Sequence, residues 1–360
     1  MNRTRLVWIV LGGIVLVAAK GVFLALQFPA FMPDTEVRRV LYAIPVFPHQ
    51  LSKRTQLLLV DRPGIYSMYA KLLYPPLLVQ PYDIWADAQF PGASIAKLYI
   101  VAAAFDAIEQ GTLSLSQTVS ISEGAQKAGN YGTGILRFRV GFTSPYSKKT
   151  IPPKELYSER LNGPIQARLG DLLYLSIRYS DNLAILGVAQ TVGRDNVQRY
   201  VEELGLTKTS ILTYDTEGTV VRPNLTSARD IGVFLEKLYR RNSIPAHAQT
   251  LLSWLGETEE SDRIVYPLPP FVRVYHKTAE SSEEGVYHDA GIVVTPHGTV
   301  VILVVLSQQP VGTAGEFAAT QMSVIRAVSR LVYNHVSFNE QLFFFPVLPG
   351  VRELFARLNL

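Results

Sequence analysis

Ser94-Ile95-Ala96-Lys97 is the only Ser-x-x-Lys in the chain. Residues three apart on a helix share a face, so the Ser94 hydroxyl and the Lys97 amine can point the same way. A serine hydroxyl is a poor nucleophile on its own. A partly desolvated lysine beside it can take its proton and turn it into an acylatable group. About one such pair is expected by chance in a chain of this length, so its meaning depends on what accompanies it. Two other polar groupings follow in order: Ser180-Asp181-Asn182, and Lys277-Thr278-Ala279 after Val272-Arg273-Val274-Tyr275-His276. By itself the first is most often a turn or a helix cap. Lys-Thr also occurs at Lys149 and Lys208, so the third means little alone.

The elements around these residues can be read from periodicity and breakers. Asp61-Arg62-Pro63-Gly64 marks a turn before a strand at 65–70, and 72–82 reads as a second, irregular strand around Pro75-Pro76. A helix carries Ser94 and Lys97 to about Glu109, with Gly111 ending it. Residues 122–136 are Gly-rich and loop-like, and 137–166 read as an inserted hairpin or surface loop. Periodicity expects helices at 169–191, placing Ser180 inside, and at 194–204, 226–239 (capped by Thr226 or Ser227) and 321–336. Strands are expected at 272–277, 291–295 and 300–307, which puts Lys277 at a strand end. Strands, helices, strands and a last helix describe an α+β fold: an antiparallel sheet flanked by helices, with an inserted all-helical subdomain at about 110–230.

The composition narrows the function. Of the 360 residues 48% are hydrophobic, enough for a large core. Lys+Arg exceed Asp+Glu only by 34 to 30, and no basic stripe is interleaved with aromatics, so nucleic-acid binding has no support. No cysteine is present, which removes disulfides and thiolate metal sites. The six histidines are scattered, and neither a metal nor another cofactor is expected. Arg3 and Arg5 precede an apolar run over 6–19, which Lys20 interrupts and 21–26 continues. The combined stretch reaches the ~20 residues that span a bilayer. It reads as an N-terminal membrane anchor (1–28) or a cleaved signal peptide ending near Ala18-Ala19; apolar residues beyond that point favour the anchor. Either way the positive flank stays in the cytoplasm and the rest is exported. Residues 29–54 read as a Pro-containing spacer with a short helix at 36–43. A tail at 337–360, with Leu342-Phe343-Phe344-Phe345, packs on the main domain or touches the membrane; the sparse charge favours packing.

Ser94-x-x-Lys97, Ser180-Asp181-Asn182 and Lys277-Thr278-Ala279, in this order, resemble the class A β-lactamase-like serine hydrolases of the penicillin-recognising superfamily, which also holds the DD-peptidases. The resemblance spans about 56–335, within a domain expected at 55–336. Lesser echoes are Gly132-Thr133-Gly134-Ile135-Leu136, Pro223-Asn224-Leu225-Thr226 and His288-Asp289-Ala290-Gly291-Ile292. It implies a β-lactamase/transpeptidase-like fold and a role for each matching residue. Ser94 attacks a carbonyl carbon and Lys97 takes its proton. Ser180 passes a proton to the leaving nitrogen, Asn182 orients Lys97 and a substrate amide, and Asp181 stabilises its turn. Lys277 and Thr278 hold a substrate carboxylate. The backbone N–H groups of Ser94 and Glu280 form the oxyanion hole.

Two departures matter. Ala279 stands where the family usually has glycine, so a methyl group approaches the cleft wall. The family's deacylating glutamate, followed at an interval by asparagine, has no full match at 212–226. The acids there are Asp215 and Glu217, and position 221 is Val. Glu217 is the candidate base; read alone, it is a solvated loop residue. Acylation is therefore better supported than deacylation. Three functions stay open: a β-lactamase opening β-lactam amides, a D-alanyl-D-alanine peptidase or transpeptidase on peptidoglycan stem peptides, and a non-catalytic penicillin-binding-like protein. In each the chain is expected to be a membrane-held monomer.

Overall fold

The computed structural model describes residues 48–74, 81–122, 141–152, 164–214, 220–309 and 318–343. The expected anchor, the 36–43 helix, Glu217, the Gly132–Leu136 echo and the end of the apolar tail lie outside them. Among the described residues no helix is long and apolar enough to cross a membrane. From Leu51 on, the chain forms one compact unit.

Helix α1 (Pro48–Leu59) leads into strand β1 (Ile65–Tyr74), which pairs with β2 (Tyr82–Ile84). Short β3 (Gln89–Pro91), a 3-10 turn (Ala93–Ile95) and α2 (Ala96–Glu109) follow. Then come β4 (Thr118–Ile121), β5 (Phe142–Thr143), β6 (Thr150–Ile151) and β7 (Ile165–Arg168). Helices α3 (Leu169–Arg178), α4 (Asn182–Val192) and α5 (Arg194–Glu203) are consecutive. After β8 (Thr213–Tyr214), β9 (Val220–Arg222) and β10 (Leu225–Ser227) stand α6 (Ala228–Tyr239) and α7 (Ala248–Gly256). Strands β11 (Arg273–Ser281), β12 (Val286–Val294) and β13 (Val300–Gln308) precede α8 (Ala318–Phe343).

The main sheet is antiparallel throughout, in the order β11-β12-β13-β1-β2. Strand β13 explains why it is a middle layer. Val300, Ile302, Val304 and Leu306 enter one core, with α2 to α7, while Val301, Leu303 and Val305 enter the other, with Leu51 of α1 and Val324, Ile325 and Val328 of α8. Side chains alternate across a strand, so an unbroken Val/Ile/Leu run is what a sheet covered on both faces requires.

Helix α2 is apolar nearly all round and buried from Ala96 to Phe105. Such a helix must sit at a domain's centre, and it packs on α3, α4 and α5. Gly111, at φ +75°, ends this segment in a left-handed conformation that L side chains rarely adopt.

The structure corrects several of the sequence expectations. The subdomain expected at about 110–230 is not all-helical: strands β4 to β10 lie within it. Helix α1 crosses the expected end of the spacer at 54, residues 72–74 continue β1 instead of opening a second strand, and α8 runs past 336 to Phe343. The helix expected over 169–191 is two helices broken at Ser180. Strand β11 runs on to Ser281, so Lys277 is mid-strand. Helix α7 has no counterpart in the sequence reading. The hairpin of β5 and β6 lies within the 137–166 stretch.

Candidate functional site

The approach to Ser94 is braced from three sides. Strand β3 pairs with β10, Leu225 opposite Pro91. Asn224 receives the Gly92 N–H on its backbone oxygen (2.9 Å) and donates from Nδ2 to Ala93 O (3.2 Å). A Cβ on Gly92 would stand 2.5 Å from Asn224 Oδ1, so only glycine permits this approach. His288 of β12 contacts Pro91 O through Nε2 (2.9 Å), and its Nδ1 accepts the Ser307 N–H (3.2 Å). Because the carbonyl only accepts and the amide only donates, the ring is the neutral Nε2–H tautomer. Burial holds its pKa down to about 4, which agrees. Two of the sequence echoes, at 223–226 and 288–292, thus fasten the nucleophile's lead-in. Ala93 itself has φ +41°, an uncommon conformation for a residue with a side chain.

One turn on, Lys97 is buried with its Nζ between α3 and α4. It donates to Ser180 O (2.5 Å), Ser180 Oγ (3.1 Å) and Asn182 Oδ1 (2.7 Å). An ammonium group has three donors, and these partners account for them. Burial, then the charge of Lys277, push the Lys97 pKa well below its ordinary value; Asp181 and Glu260 oppose this. The neutral amine donates two protons and keeps a lone pair free to accept another.

The break between α3 and α4 makes this possible. Ser180 has φ +51°, which turns the chain sharply and ends α3. The Asp181 side chain then caps α4, accepting from Leu183 N and Ala184 N at 2.9 Å each. The cap fixes where Asn182 starts its helix and where Ser180 faces.

Lys277 approaches the same hydroxyl from β11, with Nζ 3.0 Å from Ser180 Oγ and 2.8 Å from Thr278 O. It is fully buried, and burial lowers its pKa to about 8 against the attraction of Glu260 and Asp289. Ser180 Oγ therefore bridges two lysines. Strand β11 is the sheet's edge and packs directly on the 3-10 turn that carries Ser94. Ala279 is buried opposite His288, its methyl absorbed into the core. Glu280 follows on the strand, its side chain turned to Arg263 (2.5 Å).

Sequence reasoning missed the loop between α7 and β11. Thr278 Oγ1 donates to Glu260 Oε2. Burial alone would raise the Glu260 pKa, but Lys277, that hydrogen bond and Arg263 hold it below the ordinary carboxylate value. Arg263, 2% exposed, donates to His288 O and lies over the Tyr287 ring (5.6 Å). Asp289, buried beside His276 (2.9 Å), accepts the Ile264 N–H (2.8 Å) and ties this loop to the sheet. Burial pushes the Asp289 pKa up, but His276, the Ile264 N–H and Arg263 together hold it below the ordinary carboxylate value. The one sequence signal was the string of charges from Glu259 to Arg263, which reads as solvated.

Among the described residues no group of His, Asp and Glu could hold a metal ion. The site is a buried lysine one turn after a serine, a hydroxyl shared with a second lysine, and an edge strand alongside.

A β-lactamase-like α+β fold with a serine hydrolase's side-chain set is the class this arrangement defines. The chain belongs to the Beta-lactamase enzyme family, whose model matches residues 50–336. The extended-spectrum β-lactamase PER-1 of Pseudomonas aeruginosa is 24% identical over 269 residues, covering 72% of this chain and 77% of that protein. The fold is shared with PBP-A (TM-score 0.64, 23% identity, 80% of this chain and 96% of that one). A variant of PBP-A, solved as an acyl-enzyme with penicillin G, matches with TM-score 0.64 and 22% identity over 80% of this chain and 96% of that one. A class A β-lactamase of Bacteroides cellulosilyticus matches with TM-score 0.61 and 21% identity over 81% and 98% of the two chains.

Proposed function

We propose that this protein is a serine hydrolase that β-lactam amides acylate at Ser94, with its catalytic domain held outside the cytoplasm by the apolar segment at 6–26. The observation that carries this reading is Lys97: a buried amine with a lowered pKa, one turn from Ser94, held by Ser180 and Asn182. Neutral Lys97 takes the Ser94 proton while Oγ bonds to the carbonyl carbon. The amide C–N bond breaks, and the proton passes through Ser180 to the leaving nitrogen. Lys277 keeps the Ser180 proton mobile by donating to its oxygen, and with Thr278 it faces the substrate's charged end. The N–H groups of Ser94 and Glu280 receive the oxyanion.

Intact mass after incubation with benzylpenicillin tests the proposal. The expected result is one added penicilloyl group on Ser94, absent in Ser94→Ala. No adduct, together with no turnover of a chromogenic cephalosporin, refutes it.

A second reading has its own support. The 212–226 stretch lacks the glutamate–asparagine pair that would activate a deacylating water, as a peptidase acting on D-alanyl stem peptides would. An adduct that persists for hours, with D-alanine released from a stem peptide, selects that reading; rapid loss of the adduct selects the β-lactamase.

A further inference from the structure

Thr278 is the hydroxyl that, beside Lys277, would hold a substrate's carboxylate. Its single proton is already donated to a carboxylate of the chain itself, Glu260. Glu260 is not a stray surface side chain. It is half-buried, and its loop is fastened on both sides. Before it, Thr258 Oγ1 donates to Leu255 O (3.2 Å) and His276 O (3.1 Å). After it, Asp262 O accepts from Arg326 Nε (2.6 Å), Arg263 is buried against His288 O and Glu280, and Ile264 N bonds to Asp289. Ser329 of α8 holds Ile264 O from behind (2.7 Å). The backbone therefore presents the carboxylate to Thr278 and to the field of Lys277.

We infer that Glu260 is a built-in occupant of the anion subsite and sets its charge selectivity, so that a substrate carboxylate binds there more weakly than a neutral or cationic group. The inference rests on the proposed function only in placing that end of the substrate at Lys277 and Thr278. A second carboxylate at this place meets three obstacles. The Thr278 proton is taken, the Lys277 charge is already balanced, and two anions a few ångströms apart in a half-buried cleft repel strongly. A neutral ester or amide meets none of the repulsion, and an amine gains Glu260 as a partner. The charges of Lys277 and Arg263 face Glu260, Glu280 and Asp289, and Lys97 works as a neutral amine, so the subsite carries no net positive charge before any substrate arrives.

The test separates binding from acylation. In the Ser94→Ala chain, calorimetric titration compares benzylpenicillin with its methyl ester, which differ only in the carboxylate. Adding Glu260→Gln is expected to tighten the acid by about tenfold or more and the ester by less than about twofold. Glu260→Ala should give the same acid-selective gain, and unchanged melting of both variants shows the fold is kept. Equal shifts for acid and ester, no shift in either, or no binding of the acid to the Glu260→Gln chain overturns the inference. Labelling of Ser94 in the otherwise wild-type chain is read independently by mass. Its failure would refute the proposed hydrolase while leaving the binding result to decide the role of Glu260.

Discussion

Raising the pH through about 8 should switch off acylation by carboxylate-bearing β-lactams while the protein remains folded. Lys277 is fully buried and its pKa is lowered from 10.5 to about 8. A shift of that size corresponds to about 3 kcal/mol of net disfavour for the charged form, since each pKa unit is ~1.4 kcal/mol. Burial supplies it; Glu260 and Asp289 recover part of it. At pH 9 only about one Lys277 in ten is still charged, and each further unit removes another ~90%. The neutral amine no longer balances Glu260, so the subsite becomes net repulsive to a carboxylate. Lys97 acts in the opposite sense: its pKa is also lowered, and it must be neutral to accept the Ser94 proton. The acylation rate constant for benzylpenicillin should therefore rise on the acid side as Lys97 loses its proton, and fall about tenfold per unit above pH 8 as Lys277 loses its own.

Linkage separates this from alkaline unfolding. The Lys277 pKa is lower folded than unfolded, so between about 8 and 10.5 the unfolded chain binds more protons and this group's contribution to stability grows with pH. Urea titration of wild type against Lys277→Met at pH 8 and pH 10 should show that contribution improving by about 2 kcal/mol, while acylation falls. Stopped-flow acylation from pH 6 to 10 is the assay. Lys277→Arg should move the falling limb beyond pH 10, and the methyl ester of the same penicillin should show a much weaker limb. Acylation that keeps rising past pH 9 in wild type, or falls equally for acid and ester, refutes the reasoning.

Three other perturbations test the scaffold. Gly92→Ala forces its Cβ against Asn224 Oδ1 and should slow acylation about 100-fold, the cost of displacing a reacting group by ~1 Å; Asn224→Gly in the same chain should restore part of the rate. Ser180→Gly relieves the φ of +51° and should stabilise by up to ~1–2 kcal/mol in urea unfolding, while removing the proton relay and most of the acylation rate. Ile302→Ala, at a fully buried position in the middle of the sheet, should cost about 2–5 kcal/mol in the same assay and leave the acylation pH profile unmoved.

What could be read from the chain, and what could not, follows from the range over which each residue acts. Ser94 and Lys97 lie one turn apart, so local spacing suffices to pair them. Strand β13 announces itself by an unbroken apolar run, and the start of β1 by strand-forming residues after the Asp61–Gly64 turn. Errors came where polarity and backbone state part company. Lys277-Thr278-Ala279-Glu280-Ser281 looks like a strand's end because most of its side chains are polar, yet its backbone continues the ladder with β12 to Ser281, and Lys277 and Thr278 are buried there against Ser180 and Glu260. The helix expected over 169–191 is apolar at helical spacing throughout, and one positive φ at Ser180 cuts it. Asp181, a strong N-cap type, was the local sign of that cut.

Glu260 and Arg263 had no such sign. Both sit in a loop with no period, amid acids and a serine that resemble a solvated turn, and their meaning comes from residues far along the chain: Thr278, Glu280 and His288. Burying a charge costs several kcal/mol unless it is paired, so Arg263 at 2% exposure requires acceptors, and the sheet supplies them. A buried arginine in an irregular loop thus marks where the loop touches the fold's working edge. That contact carries Glu260 to the strand beside Ser94, and the charge a substrate meets at this edge is set as much by the loop as by the three motifs that reveal the site.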